Sequence, residues 1–440
     1  MQTIVTKFGG SSLADAAQFR KVAAIIREKP ERRFVVASAP GKRCSADTKV
    51  TDMLYSCYDA AAAHKDFLPL LAKIETRFAD IIKELDISFD IAAEIALIRS
   101  HLETMPERDY MASRGEYLNS RILAAFLGFQ FIDAGKYVRF FEDGAFDSEG
   151  TNKTLKQALA DVPCAVLPGF YGAMPDGTVH TFSRGGSDIT GSIVARAVGA
   201  ELYENWTDVS GMLSADPRIV ENPHTIPYIT YRELRELSYM GASVLHEDAI
   251  FPVRKENIPI NIRNTNDPAA PGTMIVPTLP AGAGSRKVTG IAGRTGFSAV
   301  LVEKSMMNSE IGFGAKLLQI FAKHGISFEH TPSGIDTISV IVGTKQFREK
   351  EAQILEDIQN ELHPDAVSVE HGLAMIAVVG HGMVFSKGIA ARVFQAIAEA
   401  EINIRMIDQG SSELNIIIGV EEADYSAAIC SIYRGLKDLI

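Results

Sequence analysis

Over the first 265 residues, short apolar runs alternate with stretches of helical periodicity. TIVTKF is followed by the amphipathic LADAAQFRKVAAIIRE, then by RFVVASA, then by a long helical stretch from Thr51 to about Leu127. Further strand-like runs occur at CAVLPGF, ELYENWT and IPINIRN. Alternation of this kind predicts an α/β domain whose mostly parallel sheet lies between helices. Ligands of such sheets bind beyond the carboxyl ends of the strands. The glycine-rich stretches fall at those ends.

The pattern changes at residues 266–286, NDPAAPGTMIVPTLPAGAGSR, where Pro, Gly and Ala dominate and a domain boundary is expected. Beyond it the chain repeats itself. GFGAKLLQIFAKHGISFEHTPSGIDTISVIVG, from Gly312, matches GIAARVFQAIAEAEINIRMIDQGSSELNIIIG, from Gly388, and the register holds without a gap to Gly343 and Gly419. Each copy reads as glycine turn, helix, strand, turn, strand, preceded by an apolar strand (FSAVLVEK or GLAMIAVVG). A second helix, KEAQILEDIQNEL or YSAAICSIYRGL, closes each β-α-β-β-α unit. By pattern alone the duplicated unit is either a structural module, such as a dimerisation surface, or a pair of small-ligand sensors.

At 440 residues the chain predicts two to four domains. A net charge of −11 argues against nucleic acid or an anionic membrane as partner. No apolar run reaches membrane-spanning length, and the N-terminus has no signal-peptide pattern, so a cytoplasmic protein is expected. Cys44, Cys57, Cys164 and Cys430 are too scattered for a zinc site or a disulfide framework.

The stretch KFGGSS, closing the first strand, is a candidate phosphate turn. Backbone N–H groups of such a turn converge on an anion at a helix N-terminus. Ser12 and Asp15 have capping-box spacing, which predicts that the helix starts at Ser12. Lys7 leaves the strand end, aimed at whatever the Gly9–Gly10 turn holds. No Walker A pattern is present, and a plain tight turn explains two glycines equally well.

Four further stretches decide the matter: RGE (Arg114–Glu116), GFYG (Gly169–Gly172), SRGGSD (Ser183–Asp188) and WTDVSGMLSADPR (Trp206–Arg218). With KFGGSS, their order and spacing resemble those of aspartokinases, and the tail resembles the paired ACT domains of the monofunctional members. The resemblance implies an amino acid kinase fold over 1–283, then two ferredoxin-like ACT domains, 295–366 and 367–440, the second completed by a strand at 287–294. It also implies transfer of the γ-phosphoryl of ATP, with Mg2+, to the side-chain carboxylate of L-aspartate. A carboxylate nucleophile, with an unperturbed pKa of about 3.9, needs no general base. The burden falls on alignment and on neutralising charge.

By the same resemblance, Lys7 meets the transferring phosphoryl, Gly9, Gly10 and Ser11 form its turn, and Asp188 organises Lys7 and the phosphates. Arg184 grips the α-carboxylate of aspartate, with Gly185, Gly186 and Ser187 beside it. Glu116 pairs with the α-ammonium, and Ser38 and Thr51 line the pocket. Thr207, Asp208, Leu213, Arg218 and Ser243 stand at nucleotide-contacting positions. Leu213 replaces an aromatic residue, Ser243 a lysine and Glu247 a proline. Either Arg254 or Lys255 could supply the missing cation. The loop GKRCSADTK is longer than usual, and its basic residues either reach the phosphates or are solvated. No metal ligand among the protein side chains is implied.

In the tail, the resemblance places the effector around Met307, Ser309, Gly312, Phe313 and Gly314, with Ser327, Phe328 and Glu329 from the next strand. Lysine is the favoured effector, threonine the other, and a homodimer through the ACT domains, or a tetramer built on it, is expected. Two rival readings remain at this point: a kinase for another acidic substrate such as glutamate or N-acetylglutamate, and a non-catalytic amino-acid sensor.

Overall fold

The computed structural model describes residues 2–104, 106–183, 185–242, 245, 247–282 and 286–440. Two compact units divide the chain. The first comprises 1–212, 225–231 and 244–279, the second 213–224, 232–243 and 280–440.

In the first unit the strands are β1 (Ile4–Phe8), β2 (Arg32–Ala37), β3 (Gln130–Phe131), β4 (Ala165–Pro168), β5 (Tyr171–Ala173), β6 (Val179–Thr181), β7 (Leu202–Thr207), β8 (Tyr228–Thr230), β9 (Ile260–Asn264) and β10 (Thr273–Val276). Eight of them form one sheet in the order β3-β4-β2-β1-β7-β9-β10-β8, with β5 and β6 as a separate hairpin. The strands from β3 to β9 run parallel, and β10 reverses direction against β9. The central strand β1 is buried along almost its whole length, as expected where helices cover both faces.

The helices of this unit are α1 (Ala16–Glu28), α2 (Val50–Ala62), α3 (Leu68–Leu85), α4 (Ile91–Thr104), α5 (Arg108–Leu127), α6 (Ser148–Leu159) and α7 (Gly186–Val198). One large core joins α1 to α5, with Phe19, Leu54, Ile74, Phe78, Leu118 and Ile122 at its centre. The start of α1 differs from the capping-box expectation. A 3-10 turn, Gly10–Leu13, intervenes, and Asp15 itself caps α1 by accepting from the Gln18 N–H. Ser12 is buried and bonds Thr265 at 2.8 Å. A distant tertiary partner thus overrides the local spacing.

The segment 231–255 carries α8 (Tyr231–Tyr239) and α9 (Phe251–Lys255). The second unit continues with β11 (Gly290–Glu303), α10 (Phe313–Lys323), β12 (Phe328–His330), β13 (Thr337–Gly343), α11 (Thr344–Arg348) and α12 (Glu351–Leu362). It ends with β14 (Ala366–Val379), α13 (Ile389–Glu399), β15 (Met406–Asp408), β16 (Asn415–Glu421) and α14 (Tyr425–Leu436). All six strands form an antiparallel sheet, β12-β13-β11-β14-β16-β15.

GIAGR and FSAVLVE, read in the sequence as separate strands, are one strand, β11, paired with β14 along its length. Gly290–Arg294 face Val379–Met375, and Phe297–Glu303 face Leu373–Ala366, with the register shifting between. Two cores result. One gathers Val300, Phe313, Leu317, Phe321, Val340 and Ile354, the other Ile376, Ile389, Val393, Ile418, Ile429 and Ile432.

Candidate active site

The parallel strands end level with one another. Lys7 is in register with Val36 and Asn205, Phe8 with Ala37 and Trp206, and Ala37 with Pro168. The chain leaves β1, β2, β4 and β7 at Gly9, Ser38, Gly169 and Asp208, so these turns share one edge of the sheet. They are tied together by backbone bonds. Gly9 N–H donates to Trp206 O (3.0 Å), Ser38 N–H to Phe8 O (3.1 Å) and Gly169 N–H to Ala37 O (3.1 Å).

The two glycine turns touch. Gly41 N–H donates to Gly10 O at 2.8 Å, and a Cβ on Gly10 would lie 2.9 Å from Ala39 O. A Cβ on Gly41 would lie 2.6 Å from Gly10 C, so neither position admits a side chain without moving backbone. A Cβ on Gly9 would meet nothing nearer than Trp206 O at 3.6 Å, so that position is less crowded than its neighbour.

Lys7 is buried, and its Nζ lies 2.5 Å from Asp188 Oδ1. Asn205 Nδ2 donates to the same oxygen at 2.8 Å, and the Tyr203 hydroxyl to Asp188 O at 3.1 Å. Asp188 is the third residue of α7, where the helix N-terminus favours a negative charge. SRGGSD thereby meets KFGGSS through an ion pair. It meets GFYG through packing, since a Cβ on Gly169 would lie 2.6 Å from Ser187 Cβ.

Glu116 sits on α5 facing the turn after β2. The sequence alone reads a glutamate here most simply as a solvated helix acid; it is buried. Burial pushes its carboxyl up to about 8, against the opposing pull of the Ala39 N–H and the Lys7 charge. Its Oε2 has no hydrogen-bond partner among the described residues. One turn further, Asn119 Nδ2 donates to Ser38 O at 2.6 Å. Ser38 and Thr51 are half-buried, at the end of β2 and in the first turn of α2.

The structure thus gathers Lys7, Gly9, Gly10, Ser11, Ser38, Glu116 and Gly185–Asp188 at one edge of the sheet. Arg184 and Ser243 lie outside the described residues. Of the residues expected at the nucleotide, Thr207 ends β7 and its hydroxyl donates to exposed Asp208 at 3.2 Å. Leu213 and Arg218 are not part of this unit, because the segment 213–224 belongs to the second. Arg218 is exposed, and it engages Asp216 at 2.6 Å.

Sequence reasoning missed Asn205 and Arg77. Arg77 of α3 donates to Ala14 O (2.9 Å) and Gly41 O (2.8 Å) and pairs with Asp47 at 2.5 Å. It therefore clamps the glycine turns from behind. In the loop GKRCSADTK, Arg43 bonds Asp47 (2.9 Å). That bond, with Arg77's, holds the Asp47 carboxyl well below the usual carboxylate range.

Among the described residues no three metal-ligating side chains cluster. A single carboxylate beside Lys7, Asp188, would suit a Mg2+ that takes most of its ligands from phosphate oxygens and water. No described helix is long and apolar enough to cross a membrane.

In the second unit, Met307 and Phe313 point into the first of the two cores, so they shape the turn from inside. Nothing crowds Gly312, whose φ of 85° lies in the left-handed region. Phe328 is exposed. Glu329 accepts from the Tyr239 hydroxyl and lies 3.5 Å from the Arg294 guanidinium.

The fold and the paired turns define an amino acid kinase with a regulatory tail. Residues 2–264 match the amino acid kinase family model and 376–436 an ACT domain model. The chain is 42% identical to aspartokinase 3 of Bacillus subtilis, over 98% of each chain. Its structure superposes on the aspartate kinase of Clostridium acetobutylicum with a TM-score of 0.89 at 47% identity, covering 99% of this chain and all of that one. Aspartokinase III of Escherichia coli, solved with aspartate and ADP, shares the fold (TM-score 0.76) at 24% identity over 99% of this chain and 100% of that one. The chain belongs to the aspartokinase family, the enzymes that phosphorylate the side-chain carboxylate of aspartate.

Proposed function

We propose that the protein carries out aspartate phosphorylation as follows. Glu116, by accepting the α-ammonium, and Arg184, by its place in SRGGSD, read the zwitterion of L-aspartate. Ser38, Thr51 and Gly185–Ser187 line its pocket. The β-carboxylate then faces the γ-phosphate of ATP across the Gly9–Gly10–Ser11 turn. Lys7 neutralises charge as it passes between the reactants, and Asp188 holds Lys7 in place. Thr207, Asp208, Leu213, Arg218 and Ser243 serve the nucleotide. Asp188 would be the side chain to hold Mg2+ beside the phosphates, and the ion would supply charge neutralisation there. The observation that carries this reading is the Lys7–Asp188 pair beside a buried carboxyl, Glu116, whose Oε2 has no partner.

The domains proposed are 1–283 for catalysis and two ACT modules, 295–366 and 367–440, with 287–294 completing the second. The effector is proposed to be lysine, bound near Ser309, Gly312, Gly314 and Ser327–Glu329, its ammonium taking the place of Arg294 at Glu329. The protein is proposed to be cytoplasmic and to act as a homodimer, or a tetramer built on it. Ile311 (98% exposed), Ile335 (71%) and Met306 (70%) form the apolar surface for that contact.

Incubation with Mg-ATP, hydroxylamine and aspartate should yield aspartyl hydroxamate and ADP in equal amounts, and glutamate or N-acetylglutamate should not. Folded protein that forms no aspartyl hydroxamate would overturn the reading. Added lysine should suppress the product more than threonine or methionine does. By light scattering, Ile311→Glu should shift the protein toward monomer and blunt inhibition by lysine. An unchanged mass would remove that surface from the interface.

A further inference from the structure

Arg114, two residues before Glu116, takes no part in the site above. Two positions along an α-helix turn the side chain through about 200°, so Arg114 and Glu116 project from opposite sides of α5. Arg114 is 8% exposed. Its guanidinium is stacked between Tyr110 (4.4 Å) and Tyr117 (4.3 Å), with the Tyr171 ring 5.6 Å away. Nε and Nη2 donate to Ser113 Oγ at 3.0 and 2.8 Å. Among the described residues no carboxylate lies within ion-pairing distance of it.

A buried guanidinium without an acid is unusual, because desolvating a charge is costly unless it is paired. Stacking on tyrosine faces offsets part of that cost. It also fixes the plane of the fork and leaves its Nη1 edge free of the aromatic walls. That edge is the part of arginine suited to two parallel bonds with a carboxylate.

A cavity of about 400 Å³ opens between α4 and α5 at this place, lined by Arg114, Tyr110, Tyr117, His101, Leu97 and Ile98 among others. The His101 ring stacks on Tyr110 at 3.7 Å, and its Nε2 makes no hydrogen bond among the described residues. The nearest acid to it, Glu107, is 3.8 Å away. Burial lowers the affinity of this imidazole for a proton. The one carboxylate among the cavity's described lining residues, Glu94, is already paired with Arg121. The pocket therefore combines one uncompensated positive charge, an unpartnered ring nitrogen and walls of tyrosine, leucine and isoleucine.

We propose that this cavity is a second ligand site, distinct from the aspartate pocket, for a small organic monocarboxylate with an apolar body. The carboxylate takes the free edge of Arg114, and the apolar body lies along Leu97, Ile98 and the tyrosine rings. Neither step requires movement of Glu116 or Lys7.

The probe is 3-phenylpropionate, titrated into the full chain by calorimetry. The expected result is saturable binding that aspartate does not displace and that Glu116→Gln retains. The uncharged 3-phenylpropanol should bind at least tenfold more weakly, as should Arg114→Gln with the acid. Because Arg114→Gln could disturb α5, a second variant is placed at the exposed mouth. Leu97→Asp should weaken the acid about fivefold at low salt, and added salt should narrow that gap. No binding of the acid, equal binding of acid and alcohol, displacement by aspartate, or unchanged binding in both variants would each overturn the proposal.

Discussion

The KM for aspartate should fall about tenfold for each pH unit as pH rises from 6 toward 8, then level off, and Glu116→Gln should abolish that slope. Burial raises the Glu116 carboxyl to about 8 in the empty site, so near neutral pH it is mainly protonated. An α-ammonium is held by the ionised form, and its arrival expels the proton. Below pH 8 each tenfold rise in proton concentration therefore competes tenfold more strongly with the substrate. Steady-state kinetics with saturating Mg-ATP measures this. A flat wild-type profile, or the same slope in Glu116→Gln, would remove Glu116 from the role.

The same group links pH to stability with a definite sign. A folded-state pKa raised above the unfolded value contributes stability fully present below about 4.5 and lost as pH rises toward 8. Glu116→Gln should therefore melt higher than wild type at pH 8, and the gap should close toward acid pH. Substrate affinity and stability of the empty enzyme pull against each other at this residue.

Lys7→Met should lower kcat by about a thousandfold or more while leaving overall folding intact, as expected for removal of a preorganised charge at a transferring phosphoryl. Lys7→Arg should not rescue, because the guanidinium cannot reproduce a single Nζ contact at 2.5 Å to Asp188. The substitution also leaves Asp188 with Asn205 as its remaining side-chain partner, so thermal stability should drop as well. Asp188→Asn, which keeps the size and removes the charge, separates the two effects. Stability should recover in the double variant with Lys7→Met, and activity should not. Activity within tenfold of wild type for Lys7→Met would end the assignment.

Legibility in the sequence followed the range of the interactions. β1, β2 and α1 and the repeated tail are written in local periodicity, and each is found where that pattern puts it, save the first turn of α1 and the two tail strands that join as β11. The positions of Lys7 and Asp188 could be aligned by motif, whereas their 2.5 Å contact depends on β1 and α7 packing together. α5 shows why pattern fails at a site. MASRGEYLNS reads as a polar helix, yet Ser113, Arg114, Glu116, Asn119 and Ser120 are all buried. The chain there gives up amphipathicity, with Arg114 at the cavity beside α4 and Asn119 bonded to the end of β2. Arg77 was invisible for another reason: its acceptors Ala14 and Gly41 are backbone carbonyls, which leave no mark in residue identity.

The strand β11 crosses from one regulatory core to the other without a linker, and β14 runs beside it. The core around Val300, Phe313 and Val340 draws on one stretch of chain, from β11 to α12. The other must hold Gly290–Arg294 in reserve until the last helix, α14, has been made. No single continuous piece of the chain holds Gly290–Arg294 together with their partner Met375–Val379 and leaves out Phe297–Glu303. Phe297–Glu303 and Gly290–Arg294 are therefore consecutive segments of one backbone, each built into a different core.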